Sequence, residues 1–234
     1  MSTTSDQRIL FFVRVPEEGR VKTRLAAAIG HDRATELYGR FVEDIMAMLD
    51  RIDVDVQCCY QPVGAGVTLS NWLGHHRSYA PQEGDDLGQR MGNAFRAAFK
   101  GGVRRAIVIG SDVPDLAAER VEQAFQDMQA NDVVIGPSSD GGYYLLGFDA
   151  ACFVPDVFDG ISWGTSRVFD QTMSVLEQHG LRVGVQPVWH DLDTRSDLDA
   201  LIERNRDTTF ENSRTFSLIR GYGWDRHGKE NEDD

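Results

Sequence analysis

Through its first half the chain alternates β-rich apolar runs with stretches whose apolar residues recur at helical spacing. That alternation restricts it to βαβ units around a mainly parallel sheet. Residues 8–15, 54–60 and 106–109 read as strands. Residues 33–49 carry Leu37, Phe41, Ile45, Met48 and Leu49 on one helix face, and residues 87–99 carry Met91, Ala94, Phe95, Ala98 and Phe99. Residues 67–73 read as a short helix and 117–129 as a longer one. Right-handed crossovers then place helices on both faces of the sheet.

The second half departs from this rhythm. Two strand-like runs, 132–136 and 143–148, lie close together across Pro137-Ser138-Ser139-Asp140-Gly141-Gly142. A helix over 165–178, a strand over 181–186 and a helix over 196–204 follow, so the sheet is expected to be mixed. After Asn205 the pattern fades. Residues 205–234 are expected to form a polar, partly disordered tail, with disorder strongest over the charged end 229–234. The apolar stretch 216–224 within it is a candidate cover for an edge strand or for a second subunit of a homo-oligomer. No linker divides the chain, so one domain over 8–204 is expected.

Composition excludes more than it assigns. With 37 Asp and Glu against 24 Lys and Arg, a net charge of −13, the chain repels phosphate backbones, so no nucleic-acid partner is expected. A single nucleotide remains compatible if a few cations converge or a divalent ion bridges the charges. The cysteines Cys58, Cys59 and Cys152 have no metal-type spacing and fit a reducing compartment. The first eight residues do not read as a signal peptide, and no apolar run approaches the ~20 residues of a membrane span. A cytoplasmic location is the resulting expectation.

The chemistry concentrates where strands end. Ile107-Val108-Ile109-Gly110-Ser111-Asp112-Val113-Pro114 is a buried run that stops at a carboxylate. Open α/β sheets bind ligands at the carboxyl ends of their strands, where an aspartate can hold a hard cation against a phosphate. Asp115 reads as a cap for the next helix. Residues 16–25, which follow the first strand, form a loop with Gly19, Lys22 and Arg24; it can offer backbone N–H groups and two cations to a phosphate, although Walker A spacing is absent. In residues 82–91, Asp85 or Asp86 can cap a helix, Gly88 permits close approach, and Arg90 adds a cation for a nucleotide phosphate.

Asp140, Gly141 and Gly142 make either a tight hairpin or a sugar-binding turn, with Tyr143 and Tyr144 on opposite faces so that one faces the cleft. Trp163 can line a sugar or base pocket, or simply fill the core. Thr165 or Ser166 can cap a helix N-terminus. Asp191 and Asp193 alternate after a strand and share one side, where either can join Asp112 around a cation.

Taken in order, FFVRVPEEGRVKTRL, QEGDDLGQRM, IVIGSDVPDL, VVIGPSSDGGYYLLG, ISWGTSRVFDQT and DLDTRSDL resemble a family over about residues 8–204. The family is that of the bacterial GT-A-like nucleotide-diphospho-sugar transferases, once filed as a domain of unknown function. Some of its members are labelled arsenosugar-biosynthesis glycosyltransferases. The first loop is also similar, more distantly, to that of 2-phospho-lactate guanylyltransferases. The resemblance implies a Rossmann-like GT-A fold, an α/β/α sandwich, and Mg²⁺ or Mn²⁺ as cofactor. It implies that Gly19, Lys22 and Arg24 cradle phosphates, that Asp112 and Asp193 hold the metal, and that Gly141 and Gly142 line the sugar side. One departure is Arg14, where the family usually has lysine; the charge is kept and the geometry is not.

Three functions remain open at this point. The first is glycosyl transfer from a nucleotide-diphospho-sugar to a small-molecule acceptor, with Lys22, Arg24 and the cation stabilising the leaving diphosphate and Asp140 assisting the acceptor. The second is nucleotidyl transfer with pyrophosphate release. The third is a nucleotide-binding module without turnover.

Overall fold

In the computed structural model, which describes residues 6–226, a seven-stranded sheet lies between two layers of helices. β1 (Gln7–Arg14) leads through α1 (Thr23–Ile29) and α2 (His31–Leu49) to β2 (Asp55–Gln61). Next come α3 (Gly66–Leu73), β3 (Ser78–Pro81), α4 (Leu87–Lys100), β4 (Arg105–Ile109) and α5 (Ala118–Asp127). β5 (Val133–Pro137) and β6 (Tyr143–Asp149) form a hairpin, followed by α6 (Val168–Gln178), β7 (Val183–Val185), α7 (Arg195–Arg204) and α8 (Arg214–Gly221). The sheet order is β3-β2-β1-β4-β6-β5-β7, and only β6 runs antiparallel to its neighbours. This is the mixed, mostly parallel α/β/α sandwich that the alternation of elements predicts, with the Rossmann-like GT-A arrangement that the family resemblance implies.

The central strands are apolar throughout because both of their faces are covered. Ile9, Phe11 and Val13 of β1 pack toward α1, α2, α5 and α7, whereas Leu10 and Phe12 pack toward α4 and α6. On the second face Phe95 of α4 meets Phe148 of β6 edge-to-face at 5.3 Å and is flanked by Phe99, Phe153 and Phe158. Such offset and edge contacts suit the aromatic quadrupole.

Strand order decides where a ligand can sit. From β1 the chain winds outward to β2 and β3, then crosses back so that β4 lies on the other side of β1. The loops leaving β1 and β4 therefore diverge and open a crevice at their carboxyl ends, the topological switch point of open α/β sheets.

Three expectations require correction. Residues 205–226 are not a loose polar tail. α8 packs on α2 with Phe216 and Ile219 buried, and Trp224 beyond it is buried as well. Asp44 on α2 accepts hydrogen bonds from the backbone N–H groups of Arg214 (3.0 Å) and Thr215 (2.7 Å), fixing the start of α8. The 216–224 segment thus covers a helix of its own domain and not an edge strand. The expected disorder of 229–234 lies outside the described residues.

Asp115 does not cap α5; it accepts from Arg204 Nε (2.7 Å), Asn205 Nδ2 (2.8 Å) and Trp189 Nε1 (3.1 Å), tying α7 to the loop after β4. α6 begins at Val168 and not at Thr165, because residues 159–167 form a turn-rich loop; Thr165 Oγ1 there accepts from Arg167 N at 3.4 Å. Among the described residues no helix is long and apolar enough to cross a membrane.

Candidate active site

The crevice between β1 and β4 is a cleft of about 430 Å³. Its floor is built from three segments far apart in sequence: the loop 15–22, the turn Gly110-Ser111-Asp112 and the segment 186–193. The third arrives by a route the sequence does not advertise. After β7 the backbone extends alongside the end of β5, where Trp189 N donates to Pro137 O (3.0 Å) and Ser139 N to Trp189 O (2.9 Å). Leu192 N then donates to Asp112 O at 2.9 Å, which sets Asp193 beside Asp112.

A capping box holds that position. Asp197 Oδ2 accepts from the backbone N–H groups of Thr194 (2.7 Å) and Asp193 (3.0 Å), while Thr194 Oγ1 accepts from Asp197 N at 3.3 Å.

Lys22 closes the site. Its backbone is left-handed (φ 48°, ψ 43°), an uncommon conformation for a residue other than glycine and one that concentrates at functional positions. The conformation turns its side chain inward, leaving it 3% exposed. The ammonium donates to Asp193 Oδ1 at 2.8 Å, pairs with Asp112 Oδ1, and lies 5.8 Å from the centre of the Phe41 ring. Burial alone would lower the Lys22 pKa, but the charges of Asp112 and Asp193 outweigh it and hold the amine above its ordinary value. Burial would likewise raise Asp193, and Lys22 reverses that and holds the carboxyl below its usual range.

The surroundings stiffen this constellation. Tyr38 of α2 stands 2.9 Å from Ser111 Oγ and accepts from Arg14 N at 3.0 Å, bridging the ends of β1 and β4. Burial, with the Asp112 charge adding to it, pushes the Tyr38 phenol up to about 12, so it stays neutral at physiological pH. Asp191 is a third carboxyl on the cleft wall; burial, then the charges of Asp112 and Asp140, raises it to about 7.

A divalent cation is the group the family resemblance implies here, and the donor set can be tested for it. Asp112 and Asp193 direct carboxylate oxygens at one point, and their side chains are 48% and 42% exposed to the cleft. Among the described residues no group of three or more His, Cys, Asp or Glu makes a protein-only cage. Mg²⁺ is commonly held by one or two carboxylates with the remaining ligands from water and substrate phosphate, so the pair fits a phosphate-bridged cation.

Arg90 also lines the cleft, and its guanidinium braces the loop before α4 through Gly84 O (3.0 Å) and Asp85 O (3.3 Å). Arg20 lines the cleft from an exposed position. Tyr143 and Tyr144 both reach the cleft wall; Tyr143 packs toward α4 and Tyr144 toward the opposite layer, its hydroxyl donating to Pro187 O at 3.3 Å.

Other sequence candidates stand outside the cleft wall. Gly19 occupies an exposed turn with φ +74°, and Arg24 is exposed on α1, near enough to Asp193 to act on its charge. Gly88 lies under Trp163, where a Cβ would meet the indole at 2.6 Å. Trp163 in turn stacks edge-on to Tyr143 at 6.4 Å, so the pair forms a wall behind the cleft. Gly141 (φ +89°) leaves room for the Ser166 backbone, which a Cβ would meet at 2.2 Å. Asp140 accepts from Gly142 N at 2.8 Å and is exposed, and Thr165 is exposed on the loop before α6. The sequence assigns no role to Tyr38, to Ser111 or to Gln82, a buried cleft residue whose amide donates to Cys59 O at 2.8 Å. Tyr38 adjoins the apolar stripe of α2 and reads as core, and nothing but tertiary structure brings its hydroxyl to Ser111.

Fold and site together define a transferase of the nucleotide-sugar transferase or nucleotidyltransferase kind. The chain belongs to the bacterial family described as "Uncharacterized protein conserved in bacteria (DUF2064)", whose model matches residues 44–165. A crystal structure from Desulfovibrio desulfuricans G20, provisionally named a nucleotide-diphospho-sugar transferase, is 42% identical. The match covers 96% of this chain and 98% of that one, with a TM-score of 0.92. At fold level only, the chain is similar to the 4-diphosphocytidyl-2C-methyl-D-erythritol synthase of Anaerococcus prevotii DSM 20548 (10% identity, TM-score 0.53, 86% and 100% covered). It is similar in the same way to a cytidylyltransferase of Leptospira borgpetersenii serovar Hardjo-bovis (14%, 0.51, 98% and 99%). No curated protein matches the chain.

Proposed function

We propose that this chain transfers a sugar from a nucleotide-diphospho-sugar to a small-molecule acceptor, with Mg²⁺ or Mn²⁺ held by Asp112 and Asp193. The observation that carries the reading is the meeting of these two carboxylates with Lys22 at the switch point of the sheet. The name given to the Desulfovibrio relative supports it.

A divalent cation bound there supplies Lewis acidity and positive charge to the diphosphate as it departs. The protein's own groups do the rest. Arg20 and Arg90, on the cleft wall, bind phosphate oxygens as fixed cations, and Lys22 adds its charge from below. The neutral Tyr38 hydroxyl and Ser111 keep the β1 and β4 ends at fixed separation. Phe12, Met91 and Tyr143 give the cleft an apolar wall against which the base or sugar packs and from which water is excluded. The acceptor enters at the rim, where the exposed Asp140 can take its proton.

One observation favours a second reading. Arg14 and Arg20 line both the cleft and an adjoining hollow of about 210 Å³, where the two guanidinium groups face one carboxylate, Glu17. The hollow suits a departing pyrophosphate and hence nucleotidyl transfer.

Product analysis separates the readings. The protein is incubated with UDP- and GDP-sugars and a mixed acceptor extract, and separately with nucleoside triphosphates and sugar phosphates, each with Mg²⁺ or Mn²⁺. Free nucleoside diphosphate supports glycosyl transfer, and pyrophosphate supports nucleotidyl transfer. Nucleotide binding that survives chelation and yields neither product would identify a non-catalytic binding module. Asp112→Asn is expected to lower turnover by a factor of about 100 or more, in line with loss of a charge-stabilising group.

A further inference from the structure

The ammonium of Lys22 sits at the point to which Asp112 and Asp193 both direct an oxygen. We propose that Lys22 is the resident counter-ion of this carboxylate pair, and that it yields the pair to a divalent cation only when a nucleotide phosphate is present to receive its ammonium. The inference rests on the cation reading of Asp112 and Asp193 given above, and adds to it an order of binding.

Three features of the chain lead there. The backbone of Lys22 cannot drift, because Lys22 O accepts from Ala26 N at 2.8 Å and its left-handed conformation begins α1. Only the four-carbon stem can move, so any displacement carries the ammonium within the cleft. The ammonium is also removed from water, 3% exposed, and held between two carboxylates and the face of Phe41. Taking a buried charge from its partners without replacing them is costly, so Lys22 does not leave spontaneously. Finally, the ammonium cancels one of the pair's two negative charges and occupies the point between them. A doubly charged ion placed within about 4 Å of that ammonium meets strong repulsion in a partly desolvated site. A diphosphate brings several negative charges and reverses this balance: the ammonium turns to phosphate, and the carboxylates are released to the cation.

The exposed Arg14 and Arg20 cannot serve as such a counter-ion, because no contact joins them to either carboxylate among the described residues. The role belongs to Lys22 as a positioning residue that acts on cation binding through the carboxylates.

Mn²⁺ binding, followed by the electron paramagnetic resonance signal of the free ion, tests this without any turnover. Wild type is expected to take up Mn²⁺ at the pair only when UDP or GDP is added. Lys22→Met, with no nucleotide, is expected to bind Mn²⁺ about tenfold or more tighter than wild type, reflecting loss of the opposing charge. Adding Asp112→Asn to Lys22→Met should abolish the gain. Should the methionine variant fail to fold, Lys22→Gln, which is neutral and can still donate to both carboxylates, carries the same comparison.

If Lys22→Met binds Mn²⁺ no better than wild type while wild type with nucleotide does bind it, the counter-ion role is overturned and the cation reading stands. If the gain survives Asp112→Asn, the ion lies elsewhere and the role is again overturned. If neither nucleotide nor removal of Lys22 brings Mn²⁺ to the protein, the inference and the cation reading fall together.

Discussion

A charge is held where its partners are already in place, and two residues of this chain show the rule, Lys22 fully buried and Asp132 half-buried. Lys22 gathers two carboxylates inside a cleft. Asp132, just before β5, gathers donors at the sheet edge: Arg182 N (2.9 Å), Arg182 Nε (3.2 Å) and Arg182 Nη2 (2.9 Å), with the Cys152 thiol at 3.5 Å. The Arg182 hydrogen bonds hold the Asp132 carboxyl down at about 2. A depressed carboxyl stabilises the folded state above its unfolded value, near 3.8, and loses that contribution as pH falls through about 2. Urea unfolding of wild type and Asp132→Asn should therefore differ most above pH 5, and the two should converge as pH drops from about 4 toward 2. A difference that is constant across that range would show that the ion pair contributes nothing that titrates. Arg182 is largely exposed, so the effect should also shrink with added salt.

Elements show how far patterning can be read along a chain and where it stops. The helical face of Leu37, Phe41 and Ile45, and the uninterrupted β1 run, declare α2 and a central strand, because each buries what its period predicts. α8 escaped the same reading because it is two turns long and its buried face holds just two apolar side chains, Phe216 and Ile219, beside the polar Thr215. Ser213 caps the helix locally, accepting from Phe216 N at 3.0 Å, but its first two amides are held by Asp44, 170 residues earlier, which no local pattern contains. α1 and β3 are shorter still and escape that reading likewise, and β3 borrows its definition from pairing with β2. The site divides likewise. Asp112 was legible because a buried strand ends on it, whereas the proximity of Asp193 depends on the Leu192 N–H reaching Asp112 O.

If α8 belongs to the core, Phe216→Ala should cost about 3–5 kcal/mol. Denaturant unfolding should show that cost as a lower midpoint with an unchanged slope. A loss below about 0.5 kcal/mol, the range of surface substitutions, would mean that α8 is an appendage.

At the scale of the molecule, the cleft exists only because three distant segments meet, so its occupation must be felt by all of them at once. Residues 15–22 leave β1, residues 110–113 leave β4, and residues 186–193 return from beyond β7 along β5. Ligand that binds only the folded arrangement stabilises it by RT ln(1 + L/Kd), where L is the free ligand concentration, about 2.7 kcal/mol at a hundredfold excess over Kd. That stabilisation should appear as slower amide hydrogen exchange wherever local opening would break the site. Nucleotide diphosphate with Mn²⁺ should therefore protect all three segments together, and most clearly the Leu192 amide, whose bond to Asp112 O joins the second segment to the third. Amides of α8, on the far side of α2, should change only to the extent that global unfolding is suppressed. Mass-spectrometric exchange of the free and liganded protein reads this directly. Protection confined to 15–22, with 186–193 unchanged, would place the phosphates on the first loop alone and remove Asp193 from the site.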